Sequence, residues 1–233
     1  MISVIYPSRS RPQKCYQVLE FWMKRISHLF EIEWILSLDK DDPMLSDYLA
    51  IPVRVNAKVI RENRSVVDAV NNGAKEAKGN IFIVISDDFV CPYLWDEVLM
   101  RYLDGKEDYV AKTQDGTQGW IITLPIMDRK FYERFGYIYN PLYTHMFCDT
   151  EMTSVGDLLG KTVKINEVFE HVHPSTGKVK RDALNIRNDK TWNQGREVYL
   201  TRWKNNFDLK LCDIKGRITD EEHLKWVQRE LSR

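Results

Sequence analysis

Apolar positions in the first half of the chain alternate between short unbroken runs and helical spacing. Ile2-Ser3-Val4-Ile5-Tyr6 predicts a strand. Val18, Leu19, Trp22, Met23, Ile26 and Leu29 recur at helical intervals after a polar loop. Glu33-Trp34-Ile35-Leu36-Ser37-Leu38 predicts a second strand, and Val53–Val55 or Val59-Ile60 a third. Ser65 is placed to cap a helix running to about Ala77, with Gly79 stopping it. Ile81-Phe82-Ile83-Val84-Ile85 is apolar throughout, the mark of a strand buried on both faces of a parallel sheet. This β-α-β-α-β order predicts an α/β fold: a mostly parallel central sheet flanked by helices and joined by right-handed crossovers.

The second half is less regular. Gly119–Leu124 reads as a strand, Arg129–Phe135 as a short helix closed by Gly136, and Met152–Leu159 as another helix. Thr162–Val172 reads as a strand delivering His171 and His173. Beyond Pro174 the pattern turns helical and polar. Thr219-Asp220-Glu221-Glu222 has the capping-box form ahead of a last helix carrying Leu224, Val227 and Leu231. The organisation expected is one domain over residues 1–175 and a helical extension over 176–233 packed on it.

Chemistry concentrates at predicted strand ends, where open α/β sheets bind ligands. The Ile81–Ile85 run stops on Ser86-Asp87-Asp88, and two adjacent acids invite a hard divalent cation. The first strand ends in Pro7-Ser8-Arg9-Ser10-Arg11-Pro12 and the second on Asp39-Lys40-Asp41-Asp42-Pro43. His171 and His173 share a strand face because side chains alternate. Plainer readings exist for each: strand-end turns for the acids, and packed or solvated histidines. A nucleotidyltransferase would want a Gly-rich loop after the first strand, and the loop here has no glycine.

In their order these segments resemble family 2 of the nucleotide-sugar-dependent glycosyltransferases, which have the A-type (GT-A, Rossmann-like) fold. Ile2–Pro12 is similar to the family's opening strand and loop, and Ile35–Asp39 to the strand that ends on its nucleobase-contacting Asp. Asn71-Asn72-Gly73 through Gly79 is similar to its N-x-G, A-x-G helix, and Ser86-Asp87-Asp88 lies where the metal-binding D-x-D falls. Arg129–Gly136 resembles the R-x-x-[FY]-x-x-[FL]-G segment, and Cys148-Asp149-Thr150-Glu151 stands at the E-D-x-D position. The resemblance covers about residues 1–175 and departs from the pattern at Ser86 and Cys148.

The resemblance implies a metal-dependent inverting transfer of a sugar from a nucleoside diphosphate donor, UDP foremost, to an acceptor hydroxyl. Asp149 is the implied general base and Glu151 its runner-up. Asp88 and His173 are the implied ligands of Mn²⁺ or Mg²⁺, with His171 beside His173. Donor contacts fall to Pro7, Ser8, Arg9, Asp39, Arg64 and Asp87. Asp149 could instead cap a helix beginning near Thr150. Acceptors left open are a glycan, a lipid-linked glycan, a protein or a modified base in DNA. A catalytically silent sugar-nucleotide or glycan-binding protein is the rival from another class.

Composition narrows the partners. Thirty-four Lys and Arg balance 34 Asp and Glu over 233 residues, so no whole-chain field selects a charged polymer. Residues 175–204 carry a local excess of Lys and Arg, interleaved with Trp192, Tyr199 and Trp203. That mixture suits a lid, a nucleic-acid acceptor or an amphipathic helix. The cysteines (Cys15, Cys91, Cys148, Cys212) form no CxxC pair, which argues against a zinc site and for a reduced, cytoplasmic setting. The strand-like start leaves no room for a signal peptide, and no apolar run approaches the roughly 20 residues of a membrane span.

Overall fold

The computed structural model describes residues 1–117, 119–172 and 183–232. Its strands are β1 (Ile2–Ser8), β2 (Ile32–Asp39), β3 (Ala57–Arg61), β4 (Ile81–Val84), β5 (Phe89–Val90), β6 (Val110–Gln114), β7 (Ile126–Asp128), β8 (Thr162–Val168) and β9 (Glu170–His171). Its helices are α1 (Pro12–Met23), α2 (Leu45–Leu49), α3 (Val66–Glu76), α4 (Trp95–Leu103), α5 (Arg129–Phe135), α6 (Cys148–Leu159), α7 (Ala183–Asp189), α8 (Trp192–Lys204) and α9 (Glu221–Leu231).

Seven strands form one sheet in the order β3-β2-β1-β4-β7-β6-β8. β1 pairs in parallel with β2 and with β4, and β2 with β3. β7 runs antiparallel to both of its neighbours, and β6 and β8 are parallel. The fold is the Rossmann-like, mostly parallel α/β arrangement expected. The alternation of β4 shows why the central strands must be apolar throughout. Ile81 and Ile83 join a core with Trp22, Trp34 and Trp95, whereas Phe82 and Val84 join the core on the opposite face with Val67, Val70 and Phe131. Chain order reverses at β1, which has β2 on one side and β4 on the other. The crevice beyond their C-terminal ends is therefore the topological switch point, where such sheets take ligands.

Local signals hold where expected. The Ser65 hydroxyl caps α3 by accepting the Asp68 N–H, and the Asp128 carboxylate caps α5 by accepting the Phe131 N–H. Gly136, at φ 73°, closes α5 in the left-handed conformation that glycine adopts without a Cβ clash.

Other expectations are corrected. α1 stops at Met23, short of Ile26 and Leu29, because Asp96 captures the Ser27 backbone N–H (2.8 Å) and hydroxyl (2.6 Å) and draws the chain out of the helix. The third strand contains Val59-Ile60, not Val53–Val55. Gly119–Leu124 is not a strand among the described residues: Ile121, Ile122 and Leu124 are buried on irregular backbone, and the Ile122 N–H donates to the Thr153 hydroxyl. α6 begins at Cys148, four residues before the expected Met152. The Thr162–Val172 strand is broken at Phe169 into β8 and β9. Asp220, not Thr219, caps α9 by accepting the His223 N–H.

Candidate functional site

A cleft of about 920 Å³ opens at the β1/β4 switch point. Of the residues singled out in the sequence, Pro7, Ser8, Arg9, Asp87, Asp88, Asp149, His171 and Trp192 line it. The β1 loop forms one wall. There the Arg9 guanidinium bonds Asp39 (2.6 Å) and both oxygens of Asp41 (2.6 and 3.2 Å), which raises its pKa. Tyr48 pairs its hydroxyl with Ser8 and accepts the Arg11 backbone N–H, fixing the loop at two points. Asp39 is buried behind Arg9, also accepts the Asn63 amide (2.8 Å), and does not line the cleft.

The acids after β4 have separate partners. Asp87 accepts Arg11 Nη1 at 2.6 Å, with Lys14 Nζ 3.8 Å away. Asp88 accepts the Ser86 hydroxyl on Oδ1 (2.5 Å) and has His171 Nε2 3.1 Å from Oδ2. A two-stranded ribbon brings the last pair together: β5 runs antiparallel to β9 with Phe89 opposite His171, and their rings stack at 4.5 Å. Asp88 and His171 offer a carboxylate oxygen and an imidazole nitrogen side by side, a donor pair suited to Mn²⁺. Among the described residues no group of three or more His, Cys, Asp or Glu could hold a metal. His173, the metal ligand expected from sequence, lies outside the described residues.

Asp149 enters from the far wall, in the first turn of α6. Burial raises its pKa above the ordinary carboxylate value, opposed by hydrogen bonds from the Thr150 backbone N–H (2.8 Å) and hydroxyl (3.3 Å). Both of those bonds fall on Oδ1. Asp149 does not cap the helix, as the plainer reading had it. The N-cap is Phe147, held left-handed at φ 72° and packed by the rings of Trp192, Tyr199 and Trp226. A non-glycine residue in that conformation costs about 1–3 kcal/mol, strain of the kind that collects at functional sites. Cys148, at the position of the family's first acid, is a buried thiol with its pKa pushed well up by burial and does not replace a carboxylate.

Two expected residues are placed elsewhere. Glu151 is buried outside the cleft, accepting Arg202 Nε on both oxygens (2.9 and 2.7 Å), the Tyr143 hydroxyl (2.7 Å) and the Asn140 amide (3.0 Å). Its oxygens are thus committed to a clamp that ties α6 to α8. Arg64 is 78% exposed and forms a bidentate pair with Asp68 one helical turn on, away from the cleft. Conversely, Arg11, Asn188 and Asp189 line the cleft and were not singled out. Arg11 was discoverable from its place in the β1 loop; the others reach the site only through tertiary packing of α7 and α8.

That packing depends on Gly195. A Cβ there would stand 2.2 Å from the Met146 carbonyl oxygen, so α8 lies directly on the segment leading to Asp149. Gly195→Ala is expected to force the two apart and destabilise the fold by about 1–3 kcal/mol, the usual cost of overpacking. Thermal melting against wild type reads the effect.

The profile of the Glycosyl transferase family 2 matches residues 33–152, more than half of the 233. The chain belongs to glycosyl transferase family 2. Solved structures agree in fold. A mannosyltransferase from Pyrobaculum calidifontis, in complex with GDP-Man and Mn²⁺, is similar at TM-score 0.56 and 14% identity over 76% of this chain and 58% of that one. Glucosyl-3-phosphoglycerate synthase from Mycobacterium tuberculosis, in complex with Mn²⁺, UDP-glucose and glycerol 3-phosphate, is similar at TM-score 0.58 and 15% identity over 88% and 79%. S. aureus TarS 1–349 is similar at TM-score 0.57 and 13% identity over 97% and 78%. The family 2 chain described here thus spans 58% of the length of the mannosyltransferase. No curated protein matches its sequence. No helix among the described residues is long and apolar enough to cross a membrane.

Proposed function

We propose that this chain transfers a glycosyl group from a nucleoside diphosphate sugar, with uridine diphosphate as the first donor to try, to an acceptor hydroxyl, with inversion. The observation that carries the reading is Asp149: a carboxylate with a raised pKa, facing the same cleft as Asp87, Asp88 and His171. A general base works best when its pKa is brought toward the operating pH, and burial moves Asp149 in that direction. Asp149 takes the proton of the acceptor hydroxyl. The acceptor oxygen then bonds to the anomeric carbon as the bond to the diphosphate oxygen breaks, that electron pair leaving with the diphosphate. Attack opposite the leaving group inverts the anomeric centre.

The donor's diphosphate lies, on this reading, between the β1 loop and the ends of β4 and β9. Asp88 and His171 would hold a divalent cation, with His173 proposed as a further ligand. When bound, that cation neutralises charge on the departing diphosphate. Arg9 and Arg11 shape the loop from their ion pairs with Asp39, Asp41 and Asp87. Residues 1–175 carry the donor half, and 176–233 complete the acceptor side.

Donor hydrolysis tests the chemistry without a known acceptor, because water can take the acceptor's place. Proton NMR of an α-linked UDP- or GDP-sugar with Mn²⁺ is expected to show the β-sugar appearing first, before mutarotation. An α-sugar appearing first would contradict inversion by Asp149. His171→Ala is expected to weaken Mn²⁺-dependent donor binding by about 10–100-fold, the ordinary cost of disturbing a metal's protein shell. Calorimetric titration of the nucleotide with and without Mn²⁺ checks it, and equal affinity in both proteins would remove His171 from the cation site.

A further inference from the structure

No residue of the last helix, α9, lines the cleft, yet α9 reaches the start of the helix that carries Asp149. His223, Trp226, Val227 and Glu230 recur at helical spacing and share one face of α9. Glu230 accepts Arg196 Nε of α8 (2.7 Å), and His223 Nε2 meets the Tyr199 hydroxyl (2.7 Å). That hydroxyl also pairs with Ser154 of α6 (2.8 Å). Val227 is buried in the core that holds Phe147 and Tyr199. α9 is thus seated on α8 and, through Tyr199, tied to α6. Trp226 belongs to the seated face, and its ring stacks on Phe147 at 5.5 Å and 23°.

Phe147 starts α6 in an uncommon way. Its carbonyl accepts the Glu151 N–H (3.0 Å), although its own φ of 72° is left-handed. Helix starts are most often held by a side-chain oxygen that accepts a first-turn N–H, and phenylalanine has none. Ring packing takes that part. Trp226, Trp192 at 4.9 Å and Tyr199 at 5.9 Å surround the ring. α8 passes so close at Gly195 that a Cβ there would stand 3.2 Å from Phe147 Cδ2. Aromatic pairs prefer offset-stacked or edge-on geometry, so these contacts fix the ring's orientation as well as burying it. A phenylalanine released from them favours negative φ, and the first turn of α6 would swing with the change. Asp149 is the second residue of that turn.

We infer that Trp226 is a positioning residue for the proposed base. From outside the cleft, its ring holds Phe147 left-handed and so fixes the first turn of α6 and the direction of Asp149. The inference rests on the glycosyl-transfer reading for what Asp149 does once placed. It gives α9 a part in turnover as well as in folding.

Trp226→Leu keeps an apolar side chain and removes the ring, whereas Trp226→Phe keeps a ring. With a UDP- or GDP-sugar and Mn²⁺, the kcat of donor hydrolysis is expected to fall about tenfold in Trp226→Leu, because a misplaced catalytic group lowers turnover. Nucleotide affinity should be unchanged, and Trp226→Phe should keep most of the turnover. Hydrogen exchange of peptides over 147–152 should be faster in Trp226→Leu, with peptides of β1 and β4 exchanging as in wild type. If Trp226→Leu does not melt cooperatively, Phe147→Leu, which removes the clamped ring and keeps Trp226, takes the same readings. Given an active wild type, unchanged turnover, unchanged exchange, or nucleotide affinity lost in step with turnover would overturn the inference. If wild type hydrolyses no donor, faster exchange over 147–152 would leave the clamp standing and sink the transfer reading instead. Equal exchange there would overturn the clamp as well.

Discussion

Asp149→Asn is expected to lower glycosyl turnover by about 10²–10⁴-fold, the usual contribution of a positioned general base. Nucleoside diphosphate affinity should survive, because Asp149 stands on the far wall from the β1 loop. Asparagine keeps an oxygen that can accept from the Thr150 N–H and hydroxyl, so the first turn of α6 retains its bonds. The fold should be no less stable, and more so at neutral pH. The sign follows from burial: desolvation raises the folded pKa of Asp149, so the native state disfavours the carboxylate and loses stability as pH rises from the unfolded pKa toward the folded one. The amide has no such penalty. Turnover carries the opposite dependence, since the base works only when ionised. Wild-type activity should fall as pH drops through a pKa above the ordinary carboxylate value, and the Asn variant's residual activity should lack that limb. Melting temperature and a pH–rate profile measured together check the claim; unchanged turnover removes Asp149 as the base.

Arg202→Met is expected to be the most destabilising single change away from the cleft. Both partners of the Arg202–Glu151 pair are nearly buried, with side chains 10% and 5% exposed. Removing the guanidinium strands the Glu151 carboxylate with only Tyr143 and Asn140 as donors and also frees Asp208 and the Phe207 carbonyl. Breaking one side of a buried pair costs about 3–5 kcal/mol, because the remaining charge is left uncompensated. Replacing both partners, Arg202→Met with Glu151→Leu, should recover part of that loss, since it removes the stranded charge. Urea denaturation of the two single variants and the double variant measures the coupling. A cost below about 1 kcal/mol for Arg202→Met would mean the pair contributes no more than an exposed ion pair. The pair joins α8 to the helix that bears Asp149, so this clamp also fixes the proposed base relative to the C-terminal segment.

These two carboxylates mark what the sequence could convey. Both lie in one short motif two residues apart, and their types alone do not tell which one faces the cleft. The helix separates them: Asp149 faces the cleft and Glu151 faces α8. Residues at the ends of continuous apolar runs were legible, because a strand buried on both faces must end at the mouth of the sheet; Pro7–Arg9, Asp87 and Asp88 follow from that alone. α3 and α5 were legible because Ser65 and Gly136 are local start and stop signals that need no tertiary context. His171 reaches Asp88 through a ribbon of two residues a side, too short to leave a periodicity. Gly119–Leu124 misleads because its apolar residues are buried without strand pairing. Trp192 cannot be told from Tyr199 or Trp203 by spacing; only the folded structure shows that it lines the cleft while they pack on the core.

The most direct test of a metal-dependent nucleotide-sugar site is thermal melting of wild type and Asp88→Ala with UDP-, GDP-, CDP- and TDP-sugars, with and without Mn²⁺. A ligand at about 100 times its Kd adds about 2.7 kcal/mol, or about 5–10 °C for a chain of this size. The account predicts a shift of that order for wild type with one nucleotide, only when Mn²⁺ is present, and its loss in Asp88→Ala. No shift with any nucleotide, or an equal shift in Asp88→Ala, would contradict it.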